Sequence, residues 1–123
     1  MLQHIYFLLP VFLFVSGCIS INHSQALTVD LGPVILYGNE QGESYCAQYG
    51  SLSDGSLHFV KVTMPDGRRY TLPQVVSASG VRYTDDRELV WWAHQGEVQI
   101  TTRNNSGDWH SHQILEAKTE SAE

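Results

Sequence analysis

Between Tyr45 and Leu115, turn-forming residues interrupt the chain at intervals of roughly eight to twelve positions, and apolar residues do not repeat at helical spacing. "SLSDGS" at 51–56, "PDGR" at 65–68, "HQG" at 94–96 and "NNSGD" at 104–108 consist largely of residues that reverse a chain. The runs between them, "LHFVKVTM", "RYTLPQVV", "LVWWA", "EVQITTR" and "WHSHQIL", are short. In "EVQITTR", Val98, Ile100 and Thr102 alternate with Glu97, Gln99 and Thr101, which is the two-residue period of a half-buried strand. Such a pattern predicts an all-β sandwich or barrel.

Three local features refine that expectation. Pro73 has no amide hydrogen, so its strand must run along an edge or carry a bulge there. Trp91 and Trp92 are neighbours in a strand and point to opposite faces, one into the core and one to the surface. "VSASGVRY" at 76–83 interrupts the strand pattern, because two serines and a glycine make a poor strand interior. It is the candidate for a protruding loop.

The first residues set the compartment. Ile5 to Val15 is apolar apart from Pro10, and small residues follow at Ser16 and Gly17. This run is short for a bilayer span but suits the apolar centre of a secretory signal. "VSGC" at 15–18 resembles the bacterial lipobox, in which the chain is cut before a lipidated cysteine. The resemblance implies a signal peptide over 1–17 and a membrane anchor on Cys18, each buried methylene contributing ~0.8 kcal/mol. Ile19 stands where inner-membrane retention needs aspartate, so the expected site is the outer membrane, facing the periplasm. Residues 18–43 are then a lipidated tether and N-terminal extension, 44–116 the β domain, and 117–123 a disordered tail. Within the extension, 27–43 is read as an added strand or two or as an ordered segment.

Charge and cysteine count exclude several function classes. The formal net charge is −6 at pH 7 with His neutral, and no Lys/Arg cluster occurs, which argues against nucleic acid as a partner. An acidic surface suits a basic protein partner, and Asp85, Asp86 and Glu88 are expected to form an acidic loop near Ser79 that steers it. Cys18 and Cys46 are the only cysteines, too few for paired CxxC motifs. With Cys18 lipidated, Cys46 has no disulfide partner. His110 and His112 share a strand face but lack a third ligand, so no metal and no cofactor are expected.

"YTLPQVVSASGVRYTDDRELVWWAHQGE" at 70–97 resembles the membrane-bound inhibitors of c-type lysozyme, small lipoproteins of Gram-negative bacteria. The shared marks are Tyr45-Cys46, Asp66-Gly67, Leu72-Pro73, Ser79-Gly80-Val81-Arg82-Tyr83 and Trp91-Trp92. The resemblance implies a small antiparallel β-barrel of about eight strands that inhibits by occlusion, with no catalytic residue. It implies that Ser79, Gly80, Tyr83, Trp92 and His94 face c-type lysozyme, the serine loop entering the substrate cleft. Tyr83 is read chiefly as the buttress of the loop. Two departures stand out. The family's barrel-closing disulfide has no second cysteine here, and the lysine that follows the tryptophan run is replaced by His94 or Gln95.

Two other classes of function compete with this one. A hydrolase would need Ser79 on a strand-to-helix elbow, and no helix follows it. An envelope lipoprotein that binds a glycan or an assembly partner, without touching lysozyme, is the alternative.

Overall fold

The alternating runs become strands, and the turn residues become their connections. The computed structural model describes residues 25–118, apart from the side chains at 111 and 112. In chain order the strands are β1 (Val29–Gly38), β2 (Ser44–Leu52), β3 (His58–Thr63) and β4 (Arg69–Val75), followed by β5 (Val81–Thr84), β6 (Leu89–His94), β7 (Glu97–Arg103) and β8 (Trp109–Ala117). Each pairs antiparallel with the next, and β8 returns to β1 to close a barrel. The fold is therefore the all-β, eight-stranded antiparallel barrel. The signal region, Cys18 and residues 119–123 lie outside the described residues, as does the side chain of His112.

The barrel begins earlier than the punctuation suggests. β1 lies wholly within 18–43, the stretch read as tether and extension, and it pairs with β2 along most of its length. Gly32-Pro33 hides it in the sequence. The β1–β2 register shifts between Leu31 and Val34, so this dipeptide is taken up as a bulge and the strand continues beyond it. Pro73 is accommodated differently. It pairs with Phe59 on β3, whereas β5 pairs only with the next two residues, Gln74 and Val75.

Alternation fills the interior. Tyr37, Tyr45, Ala47, Val60, Val62, Leu72, Tyr83, Leu89, Trp91, Val98, Ile100 and Leu115 all belong to one buried cluster to which every strand contributes. A fully buried Val or Leu contributes about 1.5–3 kcal/mol. Trp91 is the largest side chain there, with no exposed surface, and its edge-on contact with Tyr37 has ring centroids 5.4 Å apart. Its indole N–H cannot be buried unpaired. It donates to the Tyr49 hydroxyl at 3.0 Å, which also shares a hydrogen bond of 3.2 Å with the Tyr37 hydroxyl. Tyr83 packs against Tyr49 with centroids 5.6 Å apart. Burial, then the bond to Tyr49, pushes the Tyr37 phenol far above its ordinary range. Tyr83 is raised as well, first by burial and then by Tyr49.

The seam between β1 and β8 is short, with Tyr37 paired to Ala117 and Gly38 to Glu116. Polar contacts reinforce it. The Lys118 amide donates to the Leu36 carbonyl at 2.8 Å, and Lys118 Nζ donates to Ser44 Oγ at 2.6 Å. The Tyr45 hydroxyl donates to Gln113 Oε1 at 2.5 Å. Cys46 is a free, half-buried thiol.

Tyr49 is the acceptor on which Trp91 depends. Tyr49→Phe leaves a buried indole N–H unpaired and should cost about 1–3 kcal/mol, whereas Tyr37→Phe removes a single net bond at ~0.5–1.5 kcal/mol. Urea unfolding should show a larger fall in midpoint for Tyr49→Phe at an unchanged slope. Equal midpoints for the two variants would mean that the indole bond adds nothing.

Candidate functional site

Because the strands alternate in direction, the β2–β3, β4–β5 and β6–β7 connections gather at one end of the barrel. The β4–β5 connection, 76–80, carries Ser77, Ser79 and Gly80. Val76 there is 98% exposed, an extreme for an apolar side chain among the described residues.

The loop is held by its backbone. The Ser79 carbonyl accepts from Ser77 Oγ at 2.6 Å and from the Trp92 indole at 2.9 Å. Gly80 has φ of +63°, the left-handed region that side chains rarely adopt. A Cβ at that position would stand 2.5 Å from the Ala93 carbonyl oxygen and 2.8 Å from Trp92 Nε1. Only glycine lets the loop lie this close to β6. The hydroxyl of Ser79 makes no hydrogen bond among the described residues, and the residue is exposed. One end of Ser79 is thus fixed while its polar tip stays available.

Trp91 and Trp92 divide as alternation requires. Trp91 is in the core, and Trp92 is half-buried on the outside with its indole bound to the loop. Trp92 is therefore a brace for the 76–80 loop. His94 ends β6 opposite Glu97, and its ring centroid lies 6.2 Å from that of Trp92. The reversal read as "HQG" is confined to Gln95 and Gly96, whose φ angles of 52° and 82° suit a two-residue hairpin turn. Arg82 is half-buried, pairs with Trp92 across β5–β6, and makes no ion pair among the described residues.

Two expectations need correction. Tyr83 is only 7% exposed and belongs to the core, where it packs against Tyr49, so it offers little contact surface of its own. The strand period decides this, since Tyr83 lies opposite the buried Trp91. The acidic turn at Asp85–Glu88 is the β5–β6 connection, at the far end of β5 from Ser79. The four residues of β5 separate them by roughly 13 Å. Asp85 instead organises its own turn, accepting from the amides of Arg87, Glu88 and Leu89. Burial opposes ionisation there, but these amides hold its carboxyl below the usual range.

Sequence reasoning passed over Ser77, whose hydroxyl fixes the loop at the Ser79 carbonyl, and Ala93, whose carbonyl leaves room only for glycine at position 80. The spacing Ser77-x-Ser79 was the available signal for the first, as serine often bonds main chain two residues away. A cavity of about 450 Å³ opens at the opposite end, lined by Glu43, Tyr45, Met64, Asp66, Arg68 and Gln113 among others, and none of the loop residues reaches it. Among the described residues no cluster of His, Cys, Asp or Glu could hold a metal ion.

A protein-family profile described as "Membrane-bound lysozyme-inhibitor of c-type lysozyme" matches residues 40–109, more than half of the chain. Among solved structures, the fold is similar to that of Pseudomonas aeruginosa MliC, crystallised in complex with hen egg white lysozyme. The TM-score is 0.56 at 20% sequence identity, covering 96% of this chain and 99% of that one. No curated protein matches the sequence.

If Trp92 braces the loop, Trp92→Phe should leave the barrel intact and free the Ser79 carbonyl. NMR relaxation should then report faster backbone motion at 77–80, with amide shifts elsewhere unchanged. A loop as rigid as the parent's would assign the restraint to Ser77 alone.

Proposed function

The chain belongs to the family of membrane-bound lysozyme-inhibitors of c-type lysozyme, and we propose that it blocks a c-type lysozyme by seating the 76–80 loop in the substrate cleft. Members of this family are inhibitors and not enzymes. The cleft of such an enzyme presents two carboxyl groups that flank the scissile sugar bond. A small, protruding donor can bond one of them and exclude substrate without any chemistry of its own.

The observation that carries this reading is the division within Ser79, whose carbonyl is held by two donors while the residue is exposed and its hydroxyl makes no hydrogen bond among the described residues. Holding the loop before contact lowers the ordering cost of association. Gly80 keeps the loop against β6, Trp92 braces it, and Tyr83 anchors its exit in the core. His94 and Arg82 are the nearby basic side chains that can face a carboxylate, in place of the family's lysine. Glu97 lies opposite His94 and competes for the same charge. The net acidic charge favours encounter with a basic enzyme through the field of the whole molecule. Cys18, in its lipobox context, would carry the lipid that holds the inhibitor at the outer membrane, facing the periplasm.

The direct test is titration of c-type lysozyme with the protein while muramidase activity is followed. Loss of activity near a one-to-one ratio is expected. Undiminished activity would favour the reading as a glycan- or assembly-binding lipoprotein. A hydrogen bond to a charged group contributes ~1.5–3 kcal/mol, so Ser79→Ala should weaken binding roughly ten- to a hundredfold. An unchanged Kd in the folded variant would remove the hydroxyl from the contact.

If His94 faces a lysozyme carboxylate, a fixed positive charge there should strengthen the contact and its removal should weaken it. His94→Lys should then bind more tightly than His94→Gln. Calorimetry on the parent and the two variants at one pH checks this. Equal affinities for the three proteins would release His94 from the interface.

A further inference from the structure

The outer face of β1 and β2 differs from the rest of this acidic protein. Tyr37, Tyr45 and Ala47 point into the core, so alternation and register turn Val34, Leu36, Cys46 and Gln48 outward. Beyond the bulge the same face continues through Val29, Leu31, Gly50 and Leu52. Gly50 has no side chain, and the Phe59 ring and Leu31 meet over it. Leu27, Val29, Leu31, Val34 and Leu36 are between 37% and 60% exposed, and they form one apolar strip along the barrel. None of these outward positions carries a carboxylate or a cation. The two lysines of the chain flank the strip. Lys61 is exposed on β3 opposite Gln48, and Lys118 lies against Gly38 and Ser44.

We propose that this strip rests on a lipid bilayer surface with anionic headgroups, and that it orients the barrel there. An apolar band with a lysine on either side is what such a surface accepts, the Lys61 stem lying along the band with its ammonium at the headgroups, while Lys118 stands beside the exposed Glu116 on the β8 rim. The chain enters the barrel at this face. Gln25, the first described residue, is seven residues beyond Cys18, a reach of at most ~25 Å from whatever holds that cysteine at a membrane. In a ring of eight strands β5 is four removed from β1 in either direction, so the 76–80 loop that leads into β5 lies across the barrel from the strip. A barrel lying on β1 presents that loop to the aqueous side.

A second copy of the chain is the competing occupant, because β1 pairs with β8 only at Tyr37 and Gly38, Leu36 accepts from the Lys118 amide, and the edge of 29–35 is left open among the described residues. That edge is poorly suited to strand addition. The bulge between Leu31 and Val34 breaks its register, and Pro33 offers no amide hydrogen.

Nitroxide labels on the full chain in vesicles of phosphatidylethanolamine and phosphatidylglycerol would test the orientation. Val34→Cys places one label on the strip and Val76→Cys another on the loop, each in a Cys46→Ser background. The Cys46→Ser chain alone reports any label taken up by Cys18. The Val34 label should collide more with oxygen, which concentrates in lipid, than with a water-soluble nickel chelate. The Val76 label should show the reverse preference. Equal access of the chelate to both labels would overturn the proposal, as would failure of the full chain to remain with the vesicles. Dipolar broadening between Val34 labels of different chains would overturn it in favour of a second copy. Muramidase inhibition by the unlabelled Cys46→Ser chain is read separately, so the lysozyme reading stands or falls independently.

Discussion

The buried indole of Trp91 sets the arrangement on which the rest of the molecule depends. It fills the centre of the barrel, and its N–H needs an acceptor where water cannot reach. Tyr49 on β2 supplies that acceptor from across the interior and links it to Tyr37 on β1. One residue further along β6 the side chain must point outward, so Trp92 emerges beside the β4–β5 connection. The brace of the exposed loop is therefore a consequence of the core. The same two-residue period puts Tyr83 inside and Arg82 outside.

Closure of the barrel uses a different physical device. Two residue pairs join β1 to β8, and the lone Cys46 sits near this seam without a disulfide partner among the described residues. Hydrogen bonds of Lys118 and Gln113 across the seam, with the long β1–β2 ladder beside it, take over the restraint that a cross-link gives. These contacts are individually weak, contributing roughly 0.5–1.5 kcal/mol each. Their number and the buried tyrosines beneath them hold the ends of the meander together.

The surface is divided by the strand order. Gly80, Trp92 and His94 gather where β4–β5 and β6–β7 turn, while the apolar side of β1 and β2 lies across the ring. Carboxylates such as Glu43, Asp66, Asp85 and Glu88 belong to connections at the other end. An acidic protein can thus offer a nearly uncharged face in one direction and a small hydroxyl-bearing loop in another. Neither feature needs the chain to move.

The sequence alone determined the class of fold, because turn residues at short intervals leave no room for helices and alternation supplies an inward face. It determined that one of Trp91 and Trp92 is buried, and that 76–80 breaks the strand pattern. Which tryptophan goes inside, and what each does, was decided by tertiary structure, since both fit a strand equally and their partners distinguish them, the Tyr49 hydroxyl across the barrel for Trp91 and the Ser79 carbonyl for Trp92. β1 was illegible for a similar reason. Gly32-Pro33 reads as an end of structure, and only the register against β2 shows it to be a bulge within a strand. The distance between Asp85 and Ser79 was also beyond the sequence. Six residues apart along the chain, they are sent to opposite ends of the barrel by the single strand between them.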